Sequence, residues 1–183
     1  MKDRPSKRAS RHVALLRGIN VGGKNMLPMK VLAEMFATFG CTDVATYIQS
    51  GNVVFCAGDK IAAGLNAVIT KQVEKQFGLK VPVVIRSAAE LDAVIRGNPF
   101  GSAEEMLHVL FLADRPRADL VAGLDPVRSA PDEYVVKGRD IYAKLVTGAA
   151  KTKLTNAYFD SKLKTVSTMR NWRTVLKLAE MMA

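Results

Sequence analysis

A strand, a helix, a hairpin and a second helix follow one another twice along this chain, about 90 residues apart. That repetition constrains the fold more than any single motif does. Residues 12–17 form a short apolar run ending at glycines, which predicts a central strand. Residues 28–39 open on a proline, repeat apolar side chains at Leu32, Met35, Phe36 and Phe39, and stop at Gly40, which predicts a helix. Residues 44–49 and 52–56 are β-prone around Ser50 and Gly51 and predict a hairpin with a tight turn. Helical spacing resumes from Ile61 to Phe77, before a strand at 80–86 whose Pro82 suggests a sheet edge. A capping-box pattern at 87–90 then starts a short helix.

The second half reads as a strand at 106–113, a short helix at 116–124, a hairpin of 133–137 with 141–146, and helices at 154–163 and 168–182. The expected class is therefore α+β, built of two repeated βαββα units with mixed or antiparallel sheets packed with helices. Residues 1–11 read as a flexible basic extension. Residues 12–183 read as one compact domain of two subdomains, about 12–97 and 98–183.

The topology brings distant loops together. A right-handed helical crossover makes the first two strands parallel. The hairpin turn after the second must then lie at the same end of the sheet as the loop after the first. Residues 17–25 and 49–52 are thus expected to be neighbours.

The first loop supplies Arg17, Gly18, Asn20, Gly22, Gly23, Lys24 and Asn25. Its glycines let backbone amides approach a ligand, and its two cations suit an anion. Gly18, Gly23 and Lys24 also match the spacing of a nucleotide-hydrolase phosphate loop. Asn25, however, stands where Ser or Thr should ligate magnesium, and Pro28 rather than the Gly-Lys pair marks the helix start. A turn serving only chain geometry explains the same glycines. The second element, Gln49, Ser50, Gly51 and Asn52, is ordinary hairpin chemistry, but its amides would lie beside a cationic loop. The third is Arg170, Asn171, Trp172 and Thr174, expected at the opening of the last helix with a basic face next to a packing stripe.

Catalytic groupings are scarce. His12 and His108 lack the neighbouring ligands of a metal site, so no metal is expected. The three motifs contain no Asp or Glu for general acid/base work, and Ser50 has no partnering base in sequence. Enzyme class and cofactor stay open. Cys41 and Cys56 are too few for a disulfide framework and read as free thiols of a reducing compartment. With no secretory signal and no long apolar run, the expected location is the cytoplasm, with no membrane partner.

The 27 Lys and Arg against 17 Asp and Glu invite a nucleic-acid reading, so the distribution of charge decides its weight. Residues 1–11 carry a net +4 and residues 151–177 a net +6, while 12–150 hold 15 basic and 14 acidic side chains. The excess belongs to the two ends, where a basic helix could grip phosphates without reading sequence. Three partners follow as expectations: a small anionic or phosphate-bearing ligand at the two loops, nucleic acid at the basic ends, or another protein at an exposed sheet edge.

The stretches HVALLRGINVGGKN at 12–25, TYIQSGNVVF at 46–55 and RNWRTVLKL at 170–178, with Met29, Leu32, the Asn98-Pro99-Phe100 turn and the strand at 109–112, carry a family likeness. The chain resembles the bacterial domain-of-unknown-function family numbered 1697 from about Arg11 to the C-terminus. The resemblance implies a compact α+β fold with repeated ferredoxin-like βαββ elements and brings no activity with it. Arg173 stands where that family usually carries a second Asn.

Overall fold

The computed structural model describes residues 9–183. Within them the chain forms β1 (Ser10–Leu16), α1 (Met29–Thr38), β2 (Thr42–Tyr47), β3 (Asn52–Ala57), α2 (Asp59–Phe77), β4 (Val83–Ser87) and α3 (Ala88–Arg96). The second run is β5 (Leu107–Leu112), α4 (Ala118–Ala122), β6 (Glu133–Lys137), β7 (Asp140–Lys144), α5 (Asn156–Leu163), β8 (Ser167–Asn171) and α6 (Trp172–Met182). The strands make two four-stranded sheets, ordered β2-β3-β1-β4 and β6-β7-β5-β8. Every neighbouring pair is antiparallel. A split βαββαβ run with that order is the ferredoxin-like arrangement, here present twice.

The two halves correspond residue by residue. Val13 on β1 faces Arg86 on β4, and Val109 on β5 faces Arg170 on β8. Both arginines are buried, and each guanidinium donates to the carbonyl of the residue before it, Ile85 or Met169. Burial lowers the Arg170 pKa to about 10.

The first core packs Ala14, Leu16, Val53 and Phe55 of the sheet against Leu32, Met35 and Phe36 of α1 and Leu65, Ile69 and Val73 of α2. Fully burying a side chain such as Phe36 contributes about 1.5–3 kcal/mol. The second core packs Leu110, Leu112, Ile141 and Ala143 against Tyr158, Phe159 and Leu163 of α5. Gly78, at φ +67, closes α2 through its N–H bond to Glu74, and Thr155 caps α5 by accepting from the Tyr158 amide.

Three expectations need correction. Residues 168–171 are not the start of the last helix but most of β8, the edge strand paired to β5. The helix starts only at Trp172, because the Asn171 side chain accepts from the Thr174 amide at 2.8 Å and so caps it. Consequently Arg170 and Thr174 are buried and do not belong to a solvated basic face. Ser10 and Arg11 open β1 and do not belong to a tail, and Arg11 donates to the Met181 carbonyl at 2.9 Å. Residues 1–8 of the basic extension expected over 1–11 lie outside the described residues.

The chain divides into one unit up to Ala88 that includes Met181–Ala183 and a second unit, Ala89–Glu180. The division precedes the expected one near residue 97 because α3 is tied to the second sheet. Tyr142 donates to the Val94 carbonyl at 2.8 Å, Lys137 to the Gly97 carbonyl at 2.8 Å, and Arg139 pairs with Glu90.

Candidate functional site

In the first unit, β1 and β2 run parallel with β3 between them, so the loop after β1 meets the turn after β2. Leu16 donates to the Gly51 carbonyl at 2.8 Å, which fixes the base of the contact. The two segments expected to be neighbours are brought together.

The glycine-rich loop is a small hairpin. The Asn20 amide donates to the Asn25 carbonyl at 3.1 Å and the Lys24 amide to the Val21 carbonyl at 3.0 Å. Its central pair, Gly22 and Gly23, has φ +56 and +73. Two positive φ values in a two-residue turn are what a type I′ hairpin requires, and glycine meets that requirement without strain. Lys24 therefore sits on a hairpin, whereas α1 starts at Met29 behind Pro28. The helix N-terminus that a nucleotide-hydrolase loop needs at its Gly-Lys pair is not there.

Asn20 locks this hairpin to the neighbouring turn. Its Nδ2 donates to the carbonyls of Leu27 and Gln49, both at 2.9 Å, and its Oδ1 accepts from the Leu27 amide at 2.8 Å. Asn25 Nδ2 donates to the Gly18 carbonyl at 2.8 Å. Asn52 is buried and donates to Ser50 Oγ at 3.0 Å and the Tyr47 carbonyl at 3.2 Å. These asparagines hold the loops in place. Gly51 is equally committed, since a Cβ there would lie 2.8 Å from Leu16 Cβ and 3.0 Å from Ile19 Cδ1. By contrast, the Gly22 and Gly23 amides and the side chains of Lys24 and Gln49 make no hydrogen bond or ion pair among the described residues. Lys24 and Gln49 are exposed, and Arg17 is half-buried at the root of the loop.

Sequence reasoning missed three apolar neighbours of this polar group. Val21 is 63% exposed, Met26 64% and Ile48 53%. Ile48 also has φ +49, a region that a β-branched residue occupies only under strain. The run Tyr47-Ile48-Gln49 carried no signal for that backbone, because Ile reads as strand.

Arg170, Asn171, Trp172 and Thr174 belong to the second unit. Arg170 donates to Thr168 Oγ1 at 2.8 Å, Trp172 and Thr174 are buried, and Asn171 caps α6. His12 is buried and stacked on Phe55 with ring centroids 5.5 Å apart. His108 is half-buried, and desolvation pulls its pKa below 6.5 against the opposing bond to the Met106 carbonyl. Burial pushes the Cys41 thiol up to about 11, so it is protonated at neutral pH. Among the described residues no group of three or more His, Cys, Asp or Glu is placed to hold a metal ion.

Three cavities lie away from these loops. The first is lined by residues that include Val31, Met35, Phe39 and Gln72, the second by Glu104, Glu105, His108, Asn171 and Arg173, and the third by segments 127–130 and 147–153.

The architecture and the loop pair define a duplicated ferredoxin-like α+β protein with one polar loop cluster in its first unit. Residues 9–142 match the model of the family described as "Protein of unknown function (DUF1697)". The chain belongs to that family. Its fold is similar to that of the conserved bacterial protein SP0830 from Streptococcus pneumoniae, with TM-score 0.69 and 23% identity over 96% of this chain and 99% of that one. No curated protein matches the sequence. Among the described residues, no helix is long and apolar enough to cross a membrane.

Proposed function

We propose that the first unit binds a small anionic or phosphate-bearing molecule where the loop 17–25 meets the turn 49–52, and that the protein works in the cytoplasm. The observation that carries this reading is a division of labour. Asn20 holds the two loops together while Asn25 and Asn52 brace each from within, and among the described residues this leaves the Gly22 and Gly23 amides and the side chains of Lys24 and Gln49 uncommitted. Backbone amides with a lysine in a glycine turn make an anion cradle. Arg17 adds positive charge at the root, and Val21, Met26 and Ile48 offer apolar contact to the remainder of the ligand. The strain at Ile48 belongs to the same account, since costs of about 1–3 kcal/mol are kept where a binding geometry needs them.

The loops contain no acid or base, so the reading is one of binding. Turnover would require the ligand to supply its own proton transfer. A thermal-shift screen against nucleotides and phosphorylated metabolites tests it. A cognate ligand at a hundred times its Kd stabilises by about 2.7 kcal/mol, which for a chain of this size is roughly 5–10 °C. Lys24→Ala removes a charge-assisted contact and should weaken binding about 10–100-fold without lowering the melting temperature of the free protein. A screen in which no such molecule stabilises the wild type more than the Lys24→Ala variant rejects the reading.

A further inference from the structure

We propose that the second unit carries a separate site for the phosphate group of a small molecule, in the cavity where the Val127–Ala130 segment meets the Thr147–Lys153 loop. The cavity holds about 360 Å³, within the roughly 300–1,000 Å³ typical of small-molecule sites. Three cations line it: Arg128, Lys151 and Lys153. None of the three has a carboxylate partner among the described residues.

Several other cations of the same unit are paired with carboxylates. Arg117 pairs with Asp119, Arg139 with Glu90, Lys144 with Glu133, Arg173 with Glu105 and Lys177 with Glu180. Three like charges around one concavity repel each other, and an anion between them relieves the repulsion.

The cavity is also built rather than incidental. Buried Asp132 joins its two walls, accepting from the Thr147 amide and Thr147 Oγ1, both at 2.8 Å, and from Ser129 Oγ at 3.0 Å. Ser129 Oγ in turn accepts from the Lys153 amide at 2.9 Å, which sets where Lys153 leaves the chain. The Arg128 guanidinium lies 4.3 Å from the centre of the Tyr158 ring. The three cations outnumber the two nearby acids, Asp132 and Asp125, so the cavity keeps a positive surplus for a phosphate that carries about −1.5 to −2 at neutral pH. The other nearby acid, Asp125, accepts from the Val127 amide at 3.0 Å. Val127, 71% exposed at the rim, gives an apolar surface to an organic portion. A cavity of this size suits a phosphate ester or diphosphate better than a polymer backbone.

Calorimetric titration of the full chain with inorganic pyrophosphate and with phenyl phosphate, at fixed ionic strength, tests the proposal. Both should bind the wild type. A Lys151→Ala, Lys153→Ala double variant should bind at least about 10-fold more weakly while melting as the wild type does. Repeating both titrations in a Lys24→Ala background, where the first unit's loop is weakened, should give the same loss on the double substitution, so the two sites stand or fall separately. Equal affinity in the wild type and the double variant overturns the proposal, as does the absence of any binding at millimolar probe. Single-stranded oligonucleotide binding through Lys151 and Lys153, with no response to either phosphate probe, overturns it too.

Discussion

The two halves share one scaffold and finish it differently at the same end. In the first, Leu16 donates to the Gly51 carbonyl; in the second, Leu112 donates to the Arg139 carbonyl, each at 2.8 Å. Beyond that shared bond they diverge. The first half follows its leading strand with a glycine hairpin whose lysine has no partner among the described residues. The second reaches α4 after a short connection and spends its cation inward, with Arg139 donating to the Ala113 carbonyl at 3.3 Å and pairing with Glu90. Three of its cations without a carboxylate partner among the described residues, Arg128, Lys151 and Lys153, line one cavity instead. A duplicated fold thus does not imply a duplicated site, because a site lives in the loops and in which charges the scaffold leaves unspent.

The largest difference between the halves is expected at their turn glycines. Gly51 is at φ +75 and hemmed in by Leu16 and Ile19, whereas Gly138 is at φ +61 with open space around it. Gly51→Ala should combine left-handed strain with overpacking and cost about 3 kcal/mol, while Gly138→Ala should cost about 1 kcal/mol. Urea denaturation midpoints of the two variants decide it, and equal losses would mean that the turns are equally constrained.

Next in size is Asn20→Ala, which removes the lock between hairpin and turn and leaves the Leu27 amide without its acceptor. About 2 kcal/mol should be lost, with faster hydrogen exchange at Leu27 and no change in the second unit. Exchange that rises in both units would refute a local role.

A smaller effect is expected at Asp132. Burial raises its pKa, but the bonds from Thr147, Thr152 and Ser129 outweigh that and hold it below 3.8. Its stabilising contribution is therefore present above the unfolded value of about 3.8 and is lost as pH falls through the lower folded value. Asp132→Asn should remove this acid-side loss, seen as a flatter dependence of stability on pH below about 4. The smallest effect on stability belongs to Lys24→Ala, within about 0.5 kcal/mol, because the side chain is exposed and unpaired among the described residues.

Periodicity made most of the fold legible. Proline and glycine punctuation placed α1 and α2 to within about two residues, and one rule of chain handedness brought the two loops together before any coordinate did. β8 was not legible, since Ser167–Asn171 runs straight into an amphipathic helix and one of its buried residues is an arginine, a type that is seldom buried. The same prior hid Arg86. The asparagines of the loops were visible as polar residues, but only the hydrogen-bond network shows that Asn20 and Asn52 are committed within the protein. The third cavity was invisible because Arg128 lies in the nearly balanced stretch 12–150 and Lys151 and Lys153 in the basic stretch 151–177, with nothing in the sequence to join them.

The anion site proposed for the first unit consists of the hairpin of Gly22, Gly23 and Lys24 against the turn of Gln49. Backbone-resolved NMR of the full chain, titrated with the strongest stabiliser from the phosphorylated panel, tests it most directly. Saturable shifts are expected at the Gly22, Gly23 and Lys24 amides and at the Gln49 side chain, with saturation moved to about 10–100-fold higher ligand by Lys24→Ala. Saturable binding that leaves those signals unmoved would contradict it.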